Sequence, residues 1–122
     1  MYKAAGLGFG VAKPYGDSER FDFILSFGKQ LWRVQVKSTY GACRAGYQVH
    51  ASGTRLRSKY TPDEIDFLVA YIVSEDVWYV VPVAALLGEN LRFYPSGCRL
   101  GGRYEKYREA WHLMRPPAAP NA

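Results

Sequence analysis

Apolar and polar residues alternate through Gln30-Leu-Trp-Arg-Val-Gln-Val-Lys-Ser38. Trp32, Val34 and Val36 share one side; Leu31, Arg33, Gln35 and Lys37 share the other. Successive side chains of a strand point to opposite faces, so this is the pattern of a strand buried on one face. Upstream, Phe21-Asp-Phe-Ile-Leu-Ser-Phe27 is rich in strand formers, and Gly28-Lys29 between the two segments predicts a tight hairpin turn. Phe9–Pro14 reads as a brief strand closed by Pro14, which cannot donate to a ladder. Tyr47–Ala51 reads as another short strand. Phe67–Val73 and Val77–Val81 read as two strands joined by Ser74-Glu-Asp76, with Pro82 ending the second. Leu91–Tyr94 is expected as a short edge strand.

Helical signals are fewer. Thr61 and Pro62 resemble an N-cap and a first helical residue. Val83–Leu87 fits one helical turn stopped by Gly88. Tyr104–Met114 fits an amphipathic helix, with Tyr104, Tyr107, Trp111 and Met114 on one face. Residues 1–8 are too short for a helix with its own caps. The expected fold class is α+β (small α/β): a mixed sheet of about five or six strands, with helix packed against it and a C-terminal helix. Residues 1–115 read as a single domain and residues 116–122 as a frayed Pro/Ala tail.

Composition adds little to this, but it excludes classes. The chain has 122 residues, 48% of them apolar and 22% charged, enough to bury a core and too apolar for disorder. The apolar run Phe67–Val73 is far too short for a membrane span, and no secretory signal pattern opens the chain. A soluble, cytoplasmic protein with no membrane partner is expected. Cys43 and Cys98 form no close-spaced pair and have no neighbouring His, so neither zinc nor a redox motif is indicated. His50 and His112 read as packing or surface residues.

Charge is more informative. Sixteen Lys and Arg against eleven Asp and Glu give +5 overall. Residues 1–60 hold ten basic and three acidic groups, a balance of +7; residues 61–122 hold six and eight, a balance of −2. A basic half on a small domain suggests a polyanionic partner, nucleic acid before anionic membrane.

The two hairpin segments carry polar groups that a core strand usually avoids. Asp22 lies between Phe21 and Phe23. A turn at Gly28 brings it opposite Gln35–Lys37, so that a carboxylate, an amide and an ammonium meet on one patch of sheet. Mg²⁺ takes oxygen ligands, and an ammonium beside it stabilises charge building on a phosphate, which suits phosphodiester hydrolysis. The competing reading is a wet face of antiparallel sheet with no chemistry of its own.

The stretch Gly16-Asp-Ser-Glu-Arg-Phe-Asp22 with Trp32-Arg-Val-Gln-Val-Lys-Ser38 resembles the PD-(D/E)XK nuclease core. It looks closest to the group I intron-associated homing endonuclease branch, where Gln commonly replaces the second acid. Tyr60, Glu64-Ile-Asp66 and Trp78-Tyr-Val-Val-Pro82 look like that branch's downstream pattern. The resemblance implies a restriction-endonuclease-like mixed sheet and a Mg²⁺-dependent DNA endonuclease, with Mn²⁺ as an accepted substitute. Asp22 would be the metal-binding acid, Gln35 the neutral counterpart of the second acid, and the Val36 carbonyl a further ligand. Lys37 would be the catalytic lysine, with Ser38 beside the site. Gln35 removes one negative charge, which lowers expected metal affinity and favours one ion over two.

Nucleases of this kind carry an N-terminal helix whose Glu completes the acidic site. Only residues 1–8 precede Phe9 here, without an acid, and Glu19 is the nearest substitute. The alternative to an active enzyme is therefore a catalytically impaired DNA-binding relic of such a nuclease. The expected partner is double-stranded DNA, and cutting both strands implies a homodimer or higher homo-oligomer. Lys13, Arg20, Arg55, Arg57, Lys59 and Tyr60 are the leading candidates for DNA contact, with Lys29, Arg33 and Arg44 as further phosphate contacts. Tyr40, Tyr47, Trp78 and Tyr79 read as core or interface residues.

Overall fold

The computed structural model describes residues 2–15, 21–40, 46–50, 62–86, 90–97 and 102–115. Helix α1 (Tyr2–Gly6) leads into strands β1 (Gly10–Ala12), β2 (Phe23–Phe27), β3 (Gln30–Thr39), β4 (Tyr47–His50), β5 (Phe67–Ile72), β6 (Val77–Pro82) and β7 (Asn90–Phe93). Five strands form one sheet in the order β1-β2-β3-β5-β6, and β4 and β7 form a separate two-stranded sheet. The hairpins β2–β3 and β5–β6 are antiparallel, whereas β3 and β5 run parallel. A parallel pair needs a crossover, and β4 lies within it. The sheet is mixed and helix is scarce, as the α+β reading expects.

Strand alternation divides the core in two. On one face of the main sheet Leu68, Ala70, Ile72, Tyr79 and Val81 meet Tyr47, Val49, Leu91 and Phe93 of the small sheet. On the other face Leu25, Val34, Phe67, Val69 and Val80 meet Ala4, Phe9, Ala110, Trp111 and Met114. The large aliphatic side chains buried here contribute roughly 1.5–3 kcal/mol each. Trp32 Nε1 donates to the Met114 carbonyl at 3.0 Å, tying the C-terminal segment to β3. Gly28, at φ +61°, makes the β2–β3 turn in the left-handed region that glycine enters freely.

Three expectations are corrected. The C-terminal segment is two 3-10 turns, Glu105–Tyr107 and Trp111–Met114, instead of one helix. The break is at Arg108, which bridges to Tyr79, and at Glu109, whose φ of +48° leaves helical space. Glu109 instead serves the edge of β6: its N–H donates to the Trp78 carbonyl at 2.7 Å, and its carboxylate accepts from Trp78 N at 3.0 Å. Residues 2–6 do form a short helix, because packing of Ala4 into the core supplies what isolated length does not. Pro62–Glu64 form a turn rather than a helix start. The strand near Leu91 is a short edge strand, as expected, and belongs to the small sheet, where it pairs with β4. No helix of the described residues is long and apolar enough to cross a membrane. Cys43, Cys98, Thr61 and the 116–122 tail lie outside the described residues.

Candidate active site

The β2–β3 register pairs Phe23 with Val34, so Asp22, one residue before β2, stands across from Gln35. Side chains opposite each other in an antiparallel pair share a face. Asp22 Oδ2 accepts from Gln35 Nε2 at 3.0 Å and from the Val36 N–H at 2.9 Å. Its own N–H donates to the Val34 carbonyl at 2.8 Å. Because β2 begins only at Phe23, no strand of the described residues pairs with β3 on that side from Gln35 onward. The carboxylate of Asp22 takes the place of the missing ladder partner for Val36. Hydrogen bonds to a charged acceptor contribute about 1.5–3 kcal/mol each, which fixes the carboxylate against the strand.

Gln35 is 9% exposed, the one polar residue among the buried positions of the described residues. It is paired across β5 with Leu68, and Lys37 with Ala70. Two residues apart on one strand, Gln35 and Lys37 project from the same face, the face shared by the small sheet. Lys37 is half-buried and makes no hydrogen bond or ion pair among the described residues. Asp22, Gln35 and Lys37 are therefore brought to one side of the sheet. Val36 lies between them, with its N–H directed at Asp22. Ser38 alternates to the other face and is exposed, away from this patch.

The donor set suits a hard cation. The Asp22 carboxylate, the Gln35 amide oxygen and the Val36 carbonyl are all oxygen ligands of the kind Mg²⁺ takes. Among the described residues no group of three or more His, Cys, Asp or Glu side chains gathers.

Next along the stripe, Arg33 is committed elsewhere. Its guanidinium meets Asp66 through Nε to Oδ2 at 3.2 Å and Nη2 to Oδ1 at 3.1 Å. It also donates to the carbonyls of Pro62 and Asp63. The backbones of the same two residues interlock: Arg33 N donates to Asp66 Oδ2 at 2.7 Å, and Asp66 N donates to the Arg33 carbonyl at 2.8 Å. Arg33 is thus a clamp on the start of β5, not the phosphate contact expected of it. Its neighbour Asp66 was visible in the sequence only as part of a family pattern.

Other candidates are dispersed or undescribed. Lys13 follows the end of β1 and Lys29 occupies the β2–β3 turn, both exposed. Glu19, Arg20, Arg44, Arg55, Arg57, Lys59 and Tyr60 lie outside the described residues. Tyr47 and Tyr79 are buried, whereas Tyr40 is 76% exposed and is no core residue. The Trp78 and Tyr71 rings stack at 4.2 Å.

A mixed sheet that carries Gln-x-Lys on its central strand, with an acid entering from the preceding hairpin strand, is the arrangement of a nuclease-like core. The chain belongs to the PD-(D/E)XK endonuclease family, whose model matches residues 1–114. Among solved structures it is similar to a bacterial homing endonuclease, I-Ssp6803I. The two are 32% identical with a TM-score of 0.81, over 93% of this chain and 84% of that one. It is also similar to Archaeoglobus fulgidus Hjc, a Holliday junction resolvase from an archaeal hyperthermophile, at 16% identity and a TM-score of 0.54. That match covers 98% of this chain and 89% of the other, and at that identity the likeness is one of fold. No curated protein matches the chain.

Proposed function

We propose that the chain is a Mg²⁺-dependent endonuclease that hydrolyses phosphodiester bonds of double-stranded DNA. One observation carries this reading: the Asp22 carboxylate is held on Gln35 and the Val36 N–H, on the face that also presents Lys37. Asp22, the Gln35 amide oxygen and the Val36 carbonyl would hold the cation, with Mn²⁺ as a substitute. When bound, the ion supplies Lewis-acid stabilisation of charge on the phosphate. Lys37 donates to the phosphate oxygens as negative charge builds in the transition state. Water attacks phosphorus, its oxygen forming the new bond as the bond to one ester oxygen breaks. The homing endonuclease similarity and the basic first half support duplex DNA as substrate. Lys13, Arg20, Arg55, Arg57, Lys59 and Tyr60 are proposed to contact it, and two copies of the chain to cut its two strands.

A second reading, DNA binding without turnover, is favoured by α1: Tyr2–Gly6 carries no acid to join Asp22. Incubation with supercoiled plasmid separates the two. Nicking or linearisation that requires Mg²⁺ or Mn²⁺ and disappears in Lys37→Ala supports the enzyme. Salt-sensitive binding with no metal-dependent nicking supports the second reading.

A further inference from the structure

The small sheet β4–β7 has one face in the core and one in solvent. Tyr47, Val49, Leu91 and Phe93 are buried, while Gln48, His50, Asn90 and Arg92 are exposed. The register sets Gln48 across from Arg92 and His50 across from Asn90. The outward face is thus four polar side chains without an acid. Two are amides, which offer a donor and an acceptor together, one is an imidazole, and one is a guanidinium fork. Strand propensity does not account for this choice, since Asn is depleted in strands.

The ribbon stands on the same side of the main sheet as the candidate site. Its inner residues pack on Leu68 and Ala70, the residues that pair with Gln35 and Lys37. β4 also contacts β3 itself. Gly46 fixes the entry to the ribbon: its φ is +85°, and a side chain there would collide with the Tyr94 ring. The ribbon therefore lies beside the patch that holds Asp22 and Lys37.

We propose that the outward face of β4–β7 reads base edges in the major groove of the DNA duplex. This inference rests on the duplex-DNA reading above and adds which residues set sequence preference. The major groove, about 12 Å wide, admits a two-stranded ribbon. Gln48 and Asn90 match the paired donor and acceptor of adenine. Residues two apart on a strand are about 6.8 Å apart, so the ribbon spans roughly three base pairs. The proposed contacts Lys13, Arg20, Arg55, Arg57 and Lys59 meet phosphate, which carries no sequence information.

The test is selection of bound duplexes from a randomised pool, in EDTA so that cleavage plays no part. The proteins compared are the parent, Gln48→Ala/Asn90→Ala and Asn90→Asp, with circular dichroism and melting as folding controls. The parent is expected to enrich a motif. The double variant loses preference by roughly 5- to 150-fold per lost amide contact, over adjacent base pairs only, with its salt dependence on random duplex unchanged. Asn90→Asp keeps the side-chain shape and is expected to move one position from adenine toward cytosine, whose amino group a carboxylate accepts. Enrichment of the parental motif by both variants, or of no motif by the parent, overturns the ribbon reading and leaves the nuclease reading standing. A parent that binds no duplex at low salt overturns both.

Discussion

Asp22 and Gln35 face each other across the β2–β3 hairpin, joined by a hydrogen bond of 3.0 Å from the Gln35 amide to Asp22 Oδ2. The pair is nearly dry on the Gln35 side, so the amide satisfies the carboxylate without adding charge. Gln35→Glu replaces that donor with a second carboxylate at the same distance. In EDTA the two anions repel and one proton is taken up, so the variant is expected to be less stable by about 1–3 kcal/mol at neutral pH. Mg²⁺ then stabilises Gln35→Glu more than the parent, because a ligand that binds only the folded state raises its stability by an amount that grows with the logarithm of its affinity. Melting curves with EDTA and with Mg²⁺ measure both effects. An equal Mg²⁺-induced rise in the two proteins would count against Gln35 as a metal neighbour.

Lys37 lies on the same face and is half-buried beside Ala70. Lys37→Ala is expected to lower cleavage by about 10²–10³, the usual loss when one donor to a developing anion is removed. Folding and most duplex affinity should persist, since Lys37 is one cation among sixteen basic residues. Single-turnover cleavage and a binding titration on the same preparations read the two separately. Cleavage at the parental rate removes Lys37 from the mechanism.

The Arg33–Asp66 pair aligns β3 with β5, and its side chains are 33% and 29% exposed. Part of its Coulomb energy is screened by water, but the Arg33 N–H also rests on the Asp66 carboxylate and loses its acceptor when that carboxylate goes. Asp66→Ala is expected to cost about 1–3 kcal/mol, because the Arg33 guanidinium and N–H both lose their carboxylate acceptor. Arg33→Lys keeps the charge and loses the fork, so it should still cost about 1–2 kcal/mol. A double-mutant cycle by urea denaturation tests this. A coupling energy near zero would show that the clamp holds nothing.

The hairpin that sets the site was legible in the sequence because its information is local. Alternation around Val34 fixed the faces of β3, and Gly28 fixed the turn, so Asp22 had to fall near Gln35. The Arg33–Asp66 clamp was not legible. Its partners meet only after a crossover has set a parallel register, and no periodicity in either segment reports that register. The C-terminal segment failed for the opposite reason. Tyr104, Tyr107, Trp111 and Met114 keep helical spacing, yet Arg108 and Glu109 give up helical bonds to close the open edge of β6. Tertiary demand overrode local preference there. The small sheet was half legible: both strands were read, but not their pairing, which joins segments distant in the chain.

The edge closure has a consequence for alkaline stability. Tyr79 is fully buried on β6, and its hydroxyl donates to Glu105 Oε2 at 3.2 Å. Burial first, and then the charge and hydrogen bond of Glu105, hold its phenol well above the ordinary value of 10.0. The folded chain thus keeps this proton after the unfolded chain has released it. The stabilisation is complete below pH 10 or so and falls as pH rises beyond it, by at most about 1.4 kcal/mol per pH unit for this one group. Tyr79→Phe removes the titrating group and leaves every other tyrosine and lysine in place. The variant should therefore be less stable than the parent at neutral pH, through loss of the bond to Glu105, and the gap should narrow as pH rises above 10 or so. Urea unfolding at stepped pH measures that difference directly. A gap that stays constant across the alkaline range would mean that Tyr79 ionises as readily in the folded protein as in the unfolded chain, contrary to its burial against Glu105.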